Sequence, residues 1–134
     1  MDTERLKKLP LFEELSHKEL ERIATWTDEV DLPAGKHIIE EGTFAHEFFV
    51  IEEGTADVFH DGRLLGRLGP GDFFGEVALI EGHRRMASVL TTSPMRAVVM
   101  FQREFEAMDR EMPEVAERIR DVMRARRSDL EDEA

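Results

Sequence analysis

The spacing of apolar residues divides the chain into three stretches. Over residues 1–27, Leu6, Leu9, Leu11, Phe12, Leu15, Leu20, Ile23 and Ala24 recur at near-helical intervals, the signature of helices with one buried face. Pro10 ends a short first helix, and Ser16-His17-Lys18-Glu19 reads as a capping box that opens the second. From about Glu29 to Phe101 the apolar residues fall into short segments cut by turns. These predict strands at Val30–Leu32, Lys36–Glu40, Glu47–Glu52, Ala56–His60, Leu64–Leu68, Ala87–Leu90 and Met95–Phe101. Within them, His60-Asp61-Gly62-Arg63 is a hairpin signal, because Asp-Gly accepts the positive φ that a tight hairpin requires. Helical spacing returns after Gln102. One helix is expected over Arg103–Arg110, and a second from Pro113 with Val115, Ile119, Val122 and Met123 on one side. The acidic end, Asp129–Ala134, is expected to fray. Many short strands between terminal helices point to a sandwich or barrel.

Composition narrows the classes. All 9 glycines lie between Gly35 and Gly82, inside the strand region. A length of 134 residues suits a single domain over 1–134, with helices over 1–27, a β region over 28–102 and helices over 103–130. With no cysteine there is no disulfide and no thiolate metal site. The longest apolar run, Ala97–Phe101, falls far short of the roughly 20 residues that span a bilayer. No leader pattern opens the chain, so a cytoplasmic protein without membrane attachment is expected. A net charge of -12 argues against direct nucleic-acid binding, which depends on neutralising phosphates. An anionic ligand would need a local positive field, for which Arg84, Arg85 and His83 are the candidates. The five histidines, His17, His37, His46, His60 and His83, show no metal-ligand spacing, and no nucleophile elbow, P-loop or triad is present. Neither a metal, a cofactor nor a catalytic residue is therefore expected.

The candidate chemistry sits in residues 74–89, FGEVALIEGHRRMASV. Gly75 lets the backbone approach a ligand closely, and Glu76-Val77-Ala78-Leu79 can form a helical turn whose N–H groups attract an anion. Arg85 offers a permanent cation with forked donors suited to phosphate oxygens, whereas Glu76 only accepts hydrogen bonds, which suits a sugar hydroxyl. The bland alternative is that Glu76 and Arg85 form a structural ion pair.

Phe74, Gly75, Glu76, Ala78, Leu79, Arg85, Ala87, Ser88 and Val89 together resemble the phosphate-binding cassette of the cyclic nucleotide-binding domain family, the type found in protein kinase A regulatory subunits and the catabolite activator protein. The resemblance extends upstream through Pro33-Ala34-Gly35, Glu41-Gly42, Glu53-Gly54 and Gly69-Pro70-Gly71-Asp72, and covers roughly residues 9–123. It implies a mainly β jelly-roll (double-stranded β-helix) fold with flanking N- and C-terminal α-helices, in a stand-alone, bacterial-like module. It also implies a ligand site of Phe74, Gly75, Glu76, Val77, Ala78, Arg85, Met86, Ala87 and Ser88, in which Glu76 holds the ribose 2′-hydroxyl and Arg85 the cyclic phosphate. Backbone N–H groups near Ala78 and Met86 complete the phosphate site. Arg120, Met123 and Arg124 are the candidates to cap the base from the last helix. Two positions depart from the family pattern: Met86 stands where a small residue is usual, and Arg84 where proline is frequent. Guanine-preferring relatives often carry threonine at the Met86 position, so cAMP is the expected ligand ahead of cGMP. The function implied is a non-enzymatic sensor that signals through its terminal helices to a separate effector, with a homodimer through the C-terminal helix a further expectation. The alternative is a protein-interaction scaffold of the same fold that has lost the nucleotide.

Overall fold

The computed structural model describes residues 2–133, with side chains through Ala125. Three helical pieces come first: α1 (Thr3–Lys7), a 3-10 turn at Pro10–Phe12 and α2 (His17–Thr25). Next come the strands β1 (Asp28–Leu32), β2 (His37–Ile39), β3 (Glu47–Glu53), β4 (Ala56–His60), β5 (Arg63–Leu68) and β6 (Phe73–Phe74). The short helix α3 (Glu76–Glu81) interrupts them before β7 (Ser88–Thr91) and β8 (Met95–Phe101), and α4 (Gln102–Glu111) and α5 (Pro113–Glu133) close the chain. The strands form two antiparallel four-stranded sheets, in the orders β1-β8-β3-β6 and β2-β7-β4-β5.

The hydrophobic runs explain how the layers stack. Side chains alternate across a strand, so in β3 Phe49 and Ile51 turn into the core between the sheets while Phe48 and Val50 turn outward. In β8, Ala97 and Val99 point inward and Val98 and Met100 outward. The outward set does not meet water. It packs under the helices with Leu6, Phe12, Leu20, Ile23, Met108, Ile119 and Met123. A sheet covered on both faces needs apolar residues at consecutive positions, which is why β3 and β8 read as unbroken hydrophobic runs.

The expected hairpin is present, with φ of 50° at Asp61 and 75° at Gly62, and the capping box at α2 forms through Ser16 and Glu19. The sequence misses β6. Two residues carry no alternation to reveal a strand, yet Phe74 and Phe73 pair with Phe49 and Val50 at the edge of the first sheet. The last helix also departs from expectation, since it runs on to Glu133 instead of fraying at Asp129. The side chains of Arg126 and Arg127 lie outside the described residues, as does Ala134. No helix among the described residues is long and apolar enough to cross a membrane.

Candidate functional site

The cassette residues lie on one continuous stretch: the end of β6, the turn at Gly75, α3, the loop 82–87 and the start of β7. Against it opens a mostly apolar cavity of about 240 Å³, walled by Val58 of β4, Leu65 and Leu68 of β5, Phe73, Ile39 and Val89. Phe74, Gly75, Glu76, Val77, Ala78, Met86 and Ala87, seven of the nine expected ligand-site residues, line it. Of the other two, Arg85 lines a second cavity with Glu40, Gly42, Thr43 and Glu47, and Ser88 opens β7. The Ser88 hydroxyl accepts a hydrogen bond from the Glu41 N–H at 3.1 Å, tying β7 to the turn after β2.

Arg85 is buried at 5% exposure, as is Glu76. Its Nη1 donates to the Gly75 carbonyl at 2.5 Å, and its Nη2 to the Glu47 carbonyl at 2.6 Å and to Glu47 Oε1 at 3.1 Å. Desolvation pulls the Arg85 pKa below its ordinary value; the charges of Glu47 and, more weakly, Glu76 oppose the shift. Gly75, with φ of 88°, is shaped by this arginine. A Cβ there would lie 2.9 Å from Arg85 Nη1 and 3.0 Å from Ile39 Cδ1, so the missing side chain makes room for the guanidinium. The Glu47 carboxylate is bonded to Arg85, and the charge of Glu76 also acts on the guanidinium. Sequence spacing gives no hint of Glu47, which lies 38 positions away.

Met86 is 63% exposed, so its long side chain stands at the mouth of the cavity without filling it. Its carbonyl accepts a hydrogen bond from His60 Nδ1–H at 2.8 Å, joining the β4–β5 hairpin to the cassette. Arg84 is exposed, donates to the Gly42 carbonyl at 2.7 Å and lies 4.1 Å above the Phe44 ring. His83 lines the cavity, with Nδ1 near the Arg84 carbonyl and Nε2 2.8 Å from Glu81 Oε2. The fold also brings Glu41 and Asp61 to within 4.8 Å of His60, a juxtaposition that histidine spacing alone does not reveal.

Arg120, Met123 and Arg124 do not border the apolar cavity. They line a separate cavity of about 250 Å³ shared with Glu76, Val77, Ile80 and Glu81, between α3 and α5. Met123 is buried in the helical core, Arg120 pairs with Asp109 at 2.9 Å, and Arg124 pairs with Glu117 and Asp121. Arg118 reaches Glu19 of α2 at 2.6 Å.

Comparison with known proteins bears on what this arrangement is. A cAMP-dependent protein kinase regulatory subunit from Eremothecium gossypii is 33% identical over 121 residues, covering 90% of this chain and 26% of that protein. The cyclic AMP receptor protein of Thermus thermophilus is 29% identical over 133 residues, covering 94% of this chain and 62% of that protein. The chain thus spans only part of each relative's length. A structure of cAMP-bound PfPKA-R shares the fold, with a TM-score of 0.84 at 21% identity over 98% of this chain and 44% of that one. Residues 29–111, from the first strand to the end of α4, match the family described as the cyclic nucleotide-binding domain, and with the β-roll and cassette described above the chain belongs to that family.

Proposed function

We propose that this domain binds cAMP in the cavity beside the cassette and acts as a non-catalytic sensor, passing occupancy through its terminal helices to a separate effector in the cytoplasm. The observation that carries the reading is a buried carboxylate, Glu76, on the wall of an apolar cavity of about 240 Å³, with a buried cation, Arg85, bonded to the Gly75 carbonyl of the same wall. An apolar enclosure with few convergent polar groups suits a flat base. Arg85 supplies the forked donors for the cyclic phosphate and Glu76 the acceptor for the ribose 2′-hydroxyl. Two relatives of the chain are named for cAMP. Preference for cAMP over cGMP stems from Met86, whose side chain offers no hydroxyl to a guanine edge, and a donor buried without a partner is costly. Arg120, Met123 and Arg124 become base contacts only if α5 shifts along α3 toward the cavity.

The test is thermal unfolding with cAMP, cGMP, 5′-AMP and divalent metals. A ligand present at 100 times its dissociation constant stabilises the folded state by about 2.7 kcal/mol. The expected order is cAMP above cGMP, with 5′-AMP and metals near the baseline. Equal or greater stabilisation by cGMP overturns the preference. No stabilisation by either cyclic nucleotide overturns the sensor and favours a protein-interaction scaffold on the same fold.

A further inference from the structure

The guanidinium of Arg85 already has a carboxylate beside it. Three of its five N–H donors are used in the bonds to the Gly75 carbonyl, the Glu47 carbonyl and Glu47 Oε1. The two carbonyl bonds, at 2.5 and 2.6 Å, come from the main chain and fix the plane of the guanidinium whatever side chain stands at position 47. The carboxylate bond is the longest of the three at 3.1 Å, and the Glu47 side chain is 23% exposed against 4% for Arg85. Its contribution is therefore mainly charge, delivered to a cation that burial has stripped of water.

We infer that Glu47 is an affinity-setting residue: its carboxylate is an internal counter-ion to Arg85 that an incoming cyclic phosphate must share, so the site holds its nucleotide more weakly than its geometry allows. The inference rests on the cyclic-nucleotide reading above. In the empty protein Glu47 compensates the buried cation, which would be costly alone. When the phosphate arrives, two negative groups face one guanidinium, and the repulsion between them opposes binding. Unit charges about 6 Å apart interact by roughly 1 to 3 kcal/mol at an effective dielectric between that of a protein surface and that of water, equivalent to about five- to a hundredfold in affinity. A tuned-down affinity lets the domain release ligand when its concentration falls.

Calorimetric titration of cAMP and adenosine into the wild type, Glu47→Gln and Glu47→Asp tests this. Glu47→Gln removes the charge and leaves the backbone carbonyl bond in place. It is expected to bind cAMP at least fivefold tighter, while adenosine, which has no phosphate, is equally weak on both proteins. Glu47→Asp keeps the charge but withdraws it by one methylene, so it is expected to bind cAMP with an affinity between the other two, and it serves if Glu47→Gln folds poorly. Unchanged or weaker cAMP binding by both variants, with the wild type binding normally, overturns the inference and makes Glu47 a positioning group. Equal gains for adenosine and cAMP also overturn it, since the effect would then not pass through the phosphate. Absence of cAMP binding by every protein overturns the cyclic-nucleotide reading itself, and this inference with it.

Discussion

Arg85 is braced against two main-chain carbonyls, and in the proposed function its remaining donors hold the cyclic phosphate. A lysine cannot do both. Its ammonium lacks the planar fork that reaches Gly75 and Glu47 together, so Arg85→Lys is expected to weaken cAMP at least tenfold in calorimetry, consistent with the roughly 1.5–3 kcal/mol of a charge-assisted hydrogen bond. Retained affinity would mean the phosphate is held by the backbone alone. Gly75→Ala should damage the same place by another route. The new Cβ would meet Arg85 Nη1 at 2.9 Å and the Glu47 carbonyl at 3.2 Å, in a backbone with φ of 88°. A loss of about 1–3 kcal/mol in unfolding free energy is expected, together with weaker ligand binding; unaltered stability would show that the turn relaxes freely. Glu76→Gln, in turn, should weaken cAMP and leave 2′-deoxy-cAMP nearly unaffected. At this scale the sequence discloses Glu76 and Arg85, because they share a short contiguous motif. It hides Glu47 and His60, whose contacts to Arg85 and to the Met86 carbonyl are made by folding across 38 and 26 positions.

Individual elements are held in place by their ends as much as by their faces. At the start of α2, the Ser16 N–H donates to Glu19 Oε1 at 2.9 Å and the Glu19 N–H to Ser16 Oγ at 3.2 Å. The Ser16 N–H, and with it Arg118 of α5, holds the Glu19 carboxyl below its ordinary pKa against the opposing effect of burial. Because the folded pKa is depressed, this stabilisation is complete above the unfolded value of about 4.3 and fades as pH falls through the lower folded value. Glu19→Ala is therefore expected to lower stability by about 1 kcal/mol near neutral pH. The gap from the wild type should close in unfolding measurements as pH falls through the depressed folded value. A gap that persists in acid would assign the loss to helix propensity or packing instead. The cap itself is legible, since Ser-x-x-Glu is a local pattern. The cross-link to Arg118 is not, being set by the way α5 crosses α2. For the same reason β3 and β8 are plain in the sequence as apolar runs, whereas the two-residue β6 is visible only through its pairing with β3.

Across the whole molecule, the helices form one mechanical layer, and the cassette is attached to it. Leu79 of α3 belongs to the same buried cluster as Val115, Ala116, Ile119 and Met123 of α5, and the Arg118–Glu19 and Arg120–Asp109 pairs join α5 to α2 and α4. The inner cluster, including Phe74 and Val89, lies on the other side of the first sheet and touches the cavity directly. A nucleotide that tightens the loop around Gly75 and Arg85 therefore acts on α3, which shares a buried cluster with α5 through Leu79 and faces Met123 across the cavity between the two helices. The strand order and this shared cluster are what sequence periodicity leaves undetermined: it gives each element one apolar face without saying which faces meet. The coupling predicts that saturating cAMP slows amide exchange over residues 113–125, beyond the protection of the cassette. Ligand-linked shifts of this kind require only that the two arrangements of α5 bind cAMP with different affinity. Met123→Ala removes the buried side chain that α5 sets against α3 and, at an expected cost of about 2–5 kcal/mol in stability, should leave cassette protection in place while abolishing the change in α5. If α5 exchanges identically with and without ligand in the wild type, the buried cluster shared by α3 and α5 transmits nothing, and the output must leave through the N-terminal helices that rest on the same sheet.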